Sequence, residues 1–157
     1  MNSYLIQLAN MDNKNDIGFK LVVITTEQFE IIENNYTKDT NIRVKLDFRF
    51  AADKKQKLIA LFNTFIFSAN GKQFLLIEAG CHFAISKDSW EEMFDKKLNK
   101  LIVPKRFLQH LTMLTVGTTR GILHVKTENS PFNQYRIPLI NVEELIKDDN
   151  ALEFEEL

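Results

Sequence analysis

The stretch KQFLLIEAGCHFAI (72–85) holds three side chains that could do chemistry: Glu78, Cys81 and His82. A thiol beside an imidazole can give a thiolate nucleophile, and a carboxyl in apolar surroundings can serve as a general acid. Both chemistries require the partner groups on one side of the backbone. Along a strand, successive side chains point to opposite faces. Cys81 is therefore expected to point into the core and His82 away from it, which breaks the pair. Glu78 needs a second ionisable group, and its expected cross-strand neighbour is Asn63, which cannot shuttle a proton. His82, His110 and His124 fall on different elements, so nothing signals metal ligation. No Walker loop, GxGxxG, HExxH, CxxC or GxSxG motif is present. The residues thus point away from an enzyme, a metal or a cofactor, and towards Glu78 as a contact at a docking surface.

The elements that position these residues are legible in part. IRVKLDFRF (42–50) alternates apolar and polar without a miss, as a half-buried antiparallel strand does. IGFKLVVITTEQFEII (17–32) is β-branched and aromatic and reads as a strand that bends. LIALFNTFIFSA (58–69) and the 72–85 stretch flank Asn70-Gly71, the strongest short hairpin signal, because both residues tolerate positive φ. A two-residue turn carried along both strands sets Phe67 opposite Phe74, Phe65 opposite Leu76, Asn63 opposite Glu78 and Ile59 opposite His82. Leu58, Ala60, Phe62, Thr64 and Ile66 then share a core face with Leu75, Ile77, Ala79, Cys81 and Phe83. The other face carries Phe65, Phe67, Phe74, Leu76 and Glu78. A solvated face so rich in aromatics is expected to be an interaction surface, unless residues 1–16 or a helix cover it.

Helices follow the strands. Ser89 with Glu92 reads as a capping box ahead of Trp90, Met93, Phe94 and Leu98. Pro104 suits the start of a long helix. On it, Phe107, Leu111, Leu114, Ile122 and Val125 form one apolar stripe, and Leu108, Thr115, Thr119 and Leu123 a second. Gly117 and Gly121 each cost about 1 kcal/mol against alanine in a helix, so a close approach to the sheet or to another subunit is expected there. TENSPFNQYRIP (127–138) reads as a loop, and Asn141 with Glu144 caps a short last helix. Strands first and helices after indicate an α+β fold in a single domain over 1–157.

Residues 143–157 carry a net charge of −6, which leaves the body at +5 against a total of −1. That balance argues for a solvated acidic tail over 147–157 and against nucleic-acid binding. One cysteine excludes an internal disulfide and suits a reducing cytoplasm. The N-terminus has no signal-peptide pattern and no run is apolar enough to insert in a membrane, so a cytoplasmic protein is expected. Residues 1–16 read as an extension of unassigned structure.

The order of VKLD (44–47), the apolar hairpin and FLLIEAGCHFAI (74–85) resembles the SecB export chaperones. IVP (102–104), RG (120–121) and PLINVEELI (138–146) are similar to later family landmarks in the same order. Val142 stands where the family has an aromatic. The resemblance implies a four-stranded antiparallel sheet, a long helix and a short C-terminal helix. It also implies a homotetramer, a dimer of dimers with helices inside, that binds unfolded clients in hydrophobic grooves without ATP. The family's docking leucine and glutamate for the SecA motor fall on Leu76 and Glu78. The expected client surface is Phe65, Phe67 and Phe74 with Leu123, Val125, Phe132, Tyr135 and Ile137, the last five being equally suited to subunit packing. Gly117 and Gly121 are the expected oligomer-packing positions. Two alternatives stay open: a dedicated chaperone of one partner, such as an antitoxin, and an oligomeric binding protein that is not a chaperone.

Overall fold

The computed structural model describes residues 16–38 and 40–157. Residues 1–15, most of the expected N-terminal extension, lie outside the described residues. Four long strands, β1 (Phe19–Ile31), β2 (Ile42–Asp53), β3 (Leu58–Ala69) and β4 (Lys72–Ile85), form an antiparallel sheet in the order β1-β4-β3-β2. Then come α1 (Lys87–Met93), the two-residue β5 (Phe94–Asp95), β6 (Lys100–Val103), the long α2 (Lys105–Thr127), the short α3 (Val142–Leu145) and β7 (Asn150–Leu152). The α+β class and the sheet–long helix–short helix order are as the sequence implies. A second small sheet, β5-β6-β7, is added to them.

The hairpin is built as the turn residues require. Asn70 and Gly71 both adopt positive φ, at 51° and 77°. Ala69 lies opposite Lys72 and Ser68 opposite Gln73. There the expected register ends. A bulge follows, and Phe67 pairs with Leu75 rather than Phe74. Because the side-chain period is two, this single extra residue moves the rest of β4 to the other face relative to β3. Thr64, not Asn63, opposes Glu78, and Ala60, not Ile59, opposes His82. The face under α2 is therefore Ile59, Leu61, Asn63, Phe65 and Phe67 with Leu75, Ile77, Ala79, Cys81 and Phe83. Phe65, Phe67 and Phe74 are fully buried core residues. They are not part of an outer surface with Leu76 and Glu78.

Beneath α2 the core has two parts. One gathers Ile59, Leu61, Phe83, Leu101, Leu108 and Leu111. The other gathers Phe65, Phe67, Phe74, Leu123, Phe132 and Ile137. Between them run buried polar side chains, Asn63, Thr112, Thr115 and Thr119. Thr119 Oγ1 lies 2.9 Å from the Thr115 carbonyl and 2.5 Å from the Asn63 side-chain amide. The Asn63 oxygen faces Thr119, and the Asn63 Nδ2 is buried without a hydrogen-bond partner among the described residues.

Other local expectations shift. The cap of α1 is Ser86, whose hydroxyl accepts from the Ser89 N–H, and the helix ends at Met93. Phe94 enters β5, and Leu98 is exposed in the following turn. Pro104 does precede α2, but it has no side-chain acceptor. Asp149 supplies one, accepting from the Lys105 N–H at 2.8 Å, where the helix dipole favours a carboxylate. The acidic end is thus not a free tail. β7 pairs with β6, Phe154 stacks on Trp90, and Glu155 pairs with Arg49 at 2.9 Å. Asp53 accepts hydrogen bonds from the Gln56 backbone N–H, from the Leu157 N–H and from the Gln56 side chain, which hold its carboxyl below the usual range.

Candidate functional site

The sheet face turned away from α2 carries Leu76 and Glu78, the expected docking pair, with Leu76 only 7% exposed and Glu78 half-buried. Gln28 of β1 lies opposite Glu78 and Glu30 opposite Leu76. Glu27 sits at a register shift and accepts from the Thr25 hydroxyl at 2.7 Å. Glu78 and Glu30 therefore share one face with an aliphatic side chain. Farther along the same face, Phe62 lies across Gly80. A Cβ on Gly80 would come within 2.5 Å of the Phe62 ring, so this position has room for glycine alone. His82 packs edge-on against Phe62. Burial pushes its imidazole pKa down, against the upward pull of Glu27. Cys81 points to the helix side and is buried, so it cannot meet His82. Among the described residues no three His, Cys, Asp or Glu side chains are placed to hold a metal ion.

The helix side holds the expected client residues, distributed in three ways. Phe65, Phe67, Leu123 and Ile137 are core. Phe74, Phe132 and Tyr135 do come together, with Phe74 and Tyr135 5.1 Å apart and Phe74 and Phe132 6.0 Å apart. Val125 is remote in role, because it is 65% exposed on the outer flank of α2. The sequence reading missed Tyr36, which touches Phe74, Phe132 and Tyr135 and hydrogen-bonds the Tyr135 hydroxyl at 2.7 Å. An aromatic stranded in the polar loop NNYTKDTN was the available signal.

The segment that brings Phe132 and Tyr135 there is a 3-10 turn, Pro131–Gln134, followed by irregular chain. Arg120 holds it, donating from Nε to the Ile137 carbonyl at 3.1 Å and from Nη2 to Pro138 at 3.0 Å. Between this segment and α2 lies an open cavity of about 380 Å³, reached by Gly117, Gly121, Leu123 and Tyr135.

A second apolar surface was not foreseen. β1 is an edge strand, and Leu21, Val22, Val23 and Ile24 in it are all 40% exposed or more. α2 runs beside it: Phe19 packs on Phe107 and His110 at one end, and Lys126 sits over the Phe29 ring at the other. The flank of α2 that faces outward leaves Met113, Leu114 and Val125 exposed. The first of the two helix stripes is thus buried at Phe107 and Leu111, partly buried at Ile122, and exposed at Leu114 and Val125. A Cβ added at Gly117 or Gly121 meets nothing within 4 Å. These glycines form a notch on the uncovered flank, not a contact with the sheet. Among the described residues no helix is long and apolar enough to cross a membrane.

No protein-family model matches the chain, and no curated protein matches it.

Proposed function

We propose that the protein is an ATP-independent chaperone of SecB-like type, which holds apolar stretches of unfolded polypeptide and works as a cytoplasmic homo-oligomer. One observation carries this reading: an uncovered aliphatic edge strand, Leu21–Ile24, lies alongside an uncovered apolar helix flank. A free strand edge offers backbone hydrogen bonds to any extended chain, and the adjoining flank offers sequence-tolerant burial. Natural edges are usually blunted by charge or proline, and this one has neither between Leu21 and Thr26. Leu76, Glu78 and Glu30 on the opposite face give the acidic and apolar combination that the SecB resemblance assigns to SecA docking.

Suppression of light scattering from an aggregating substrate tests the reading. The wild-type chain is expected to suppress it at stoichiometric amounts, and Val22→Lys with Ile24→Lys to lose most of that effect. No suppression by the wild type would sink the proposal. The same edge also suits a second copy of the chain, and the glycine notch favours close helix approach. If the double variant loses its oligomeric state by light-scattering mass, the edge serves self-association. If it keeps that state and loses suppression, the edge serves clients. For the docking pair, affinity capture with and without Glu78→Lys separates an export role, which loses SecA, from a dedicated antitoxin chaperone, which never captures it.

A further inference from the structure

The cavity beside the late turns of α2 has a charge that the chaperone reading does not use. Arg120, His124 and Arg136 all line it, and no acidic side chain does. The three basic side chains differ in what else they do. Arg120 is half-buried and ties down the Ile137 and Pro138 carbonyls, which use its donors without cancelling its charge. His124 sits in the last turn of α2, and its Nε2 lies 3.5 Å from Glu128. Arg136 has no such occupation. It is exposed, lies on the irregular segment outside any helix, and has no hydrogen-bond or carboxylate partner among the described residues. The remaining lining is Leu123, Tyr135, the glycine notch and Asn133, whose amide N–H groups are already given to the His124 carbonyl and the Thr127 hydroxyl.

We propose that this cavity receives a polypeptide segment in which an aliphatic or aromatic residue is flanked by an aspartate or glutamate. The apolar side chain fills the space between Leu123, Tyr135 and the bare helix backbone. The flanking carboxylate meets the Arg136 guanidinium, with Arg120 adding field from the side. A guanidinium suits a carboxylate because it can donate two parallel N–H bonds. A polynucleotide is a poorer fit, because its phosphates need a continuous basic track and two arginines in an apolar crevice do not make one. The inference rests on the chaperone reading and adds a selectivity to it: among apolar clients, those with acidic neighbours are preferred.

The test uses fluorescence anisotropy with a labelled peptide, acetylated and amidated at its ends, in which leucine and phenylalanine are flanked by glutamates. Isomers with glutamine and with lysine in place of the glutamates are the controls. The acidic peptide is expected to bind the full chain roughly tenfold more tightly than the lysine isomer at low salt, and the gap should shrink as salt screens it. Arg136→Glu should reverse that order without altering the thermal melt. Equal affinities for the three peptides overturn the proposal, as does an order that Arg136→Glu leaves unchanged. In each of those cases wild-type suppression of scattering still upholds the chaperone reading. Loss of both scattering suppression and peptide binding removes the two together.

Discussion

The two ends of the space beneath α2 are closed by different means. At the end near its N-terminus the side chains are Ile59, Leu61, Phe83, Leu101, Leu108 and Leu111. They are enclosed by backbone: β6 pairs with β5 and β7, and Asp149 caps the helix. At the other end the space is filled with aromatic rings, and its cover is the 128–140 segment. That segment bonds its own backbone over short range, from Asn133 N–H to Ser130 and from Tyr135 N–H to Phe132. It is fastened to the fold by side chains, through Arg120, through the Tyr36–Tyr135 hydroxyls and through Asn133 to the His124 carbonyl. The polar seam of Asn63 and Thr119 lies between the two ends. A region fastened by a few side-chain bonds opens at lower free energy than one fastened by a strand ladder. The difference therefore assigns rigidity to one end and access to the other.

The sharpest way to break this comparison is a cavity at the first end. Leu61→Ala is expected to cost about 3 kcal/mol of global stability, since the site is fully buried and surrounded by regular structure. Urea midpoints at constant slope measure it. Phe132→Ala removes a larger side chain at the second end. If that end opens separately, the global loss is smaller, about 1–2 kcal/mol, because part of the cost is borne by the local opening. Hydrogen exchange should then show faster exchange at Asn133 and Tyr135 with protection in β4 unchanged. An equal global loss for both variants would mean that the two ends unfold as one unit.

A gain in stability is expected on the outer flank. Gly121→Ala faces open space, so it should stabilise α2 by about 0.5–1 kcal/mol in a thermal melt of the isolated chain. If the notch packs against a second copy, the same change instead weakens association, and the melt becomes more dependent on concentration.

Much of this architecture could be read from residue types, and the failures share one cause. The alternation of Arg43 to Phe50, the Asn70-Gly71 turn and the Pro104 boundary are local signals, and the structure keeps them. The pairing of Asn63 with Glu78 came from carrying the two-residue turn along both strands without a break. The bulge at Phe74 instead sets Thr64 opposite Glu78 and buries Asn63 beside Ala79. The sequence did hold a cue for this. With the slipped register, one face is apolar apart from Asn63, while Thr64, Ser68, Glu78 and His82 all collect on the other. The unslipped register mixes both kinds on each face. Leu76 and Glu78 kept a common face despite the error because they share a strand, whereas the expected client face was assembled across two strands and did not. The exposed flank of α2 and the folded acidic end depend on contacts distant in sequence, which spacing alone does not encode.

The smallest expected effect concerns pH, and it separates the fastened end from the sheet face turned away from α2. Asp53 at the fastened end receives three hydrogen bonds as a carboxylate, and these lower its pKa. A depressed acid contributes its stability above the unfolded-state value of about 4 and loses it as pH falls through the lower folded value. His82 on that face is also depressed, by burial first, with Glu27 opposing. There the folded state disfavours the proton, so the unfolded chain takes it up first, and stability begins to fall as pH drops below about 6.5. The melting temperature of the wild type should therefore decline in two separate steps on acidification. His82→Gln should remove the upper step and Asp53→Asn the lower one. A profile in which Asp53→Asn leaves the lower step intact would show that the contact between Asp53 and the last residues does not hold that end closed, and the contrast between the two ends would then rest on the β6–β7 ladder alone.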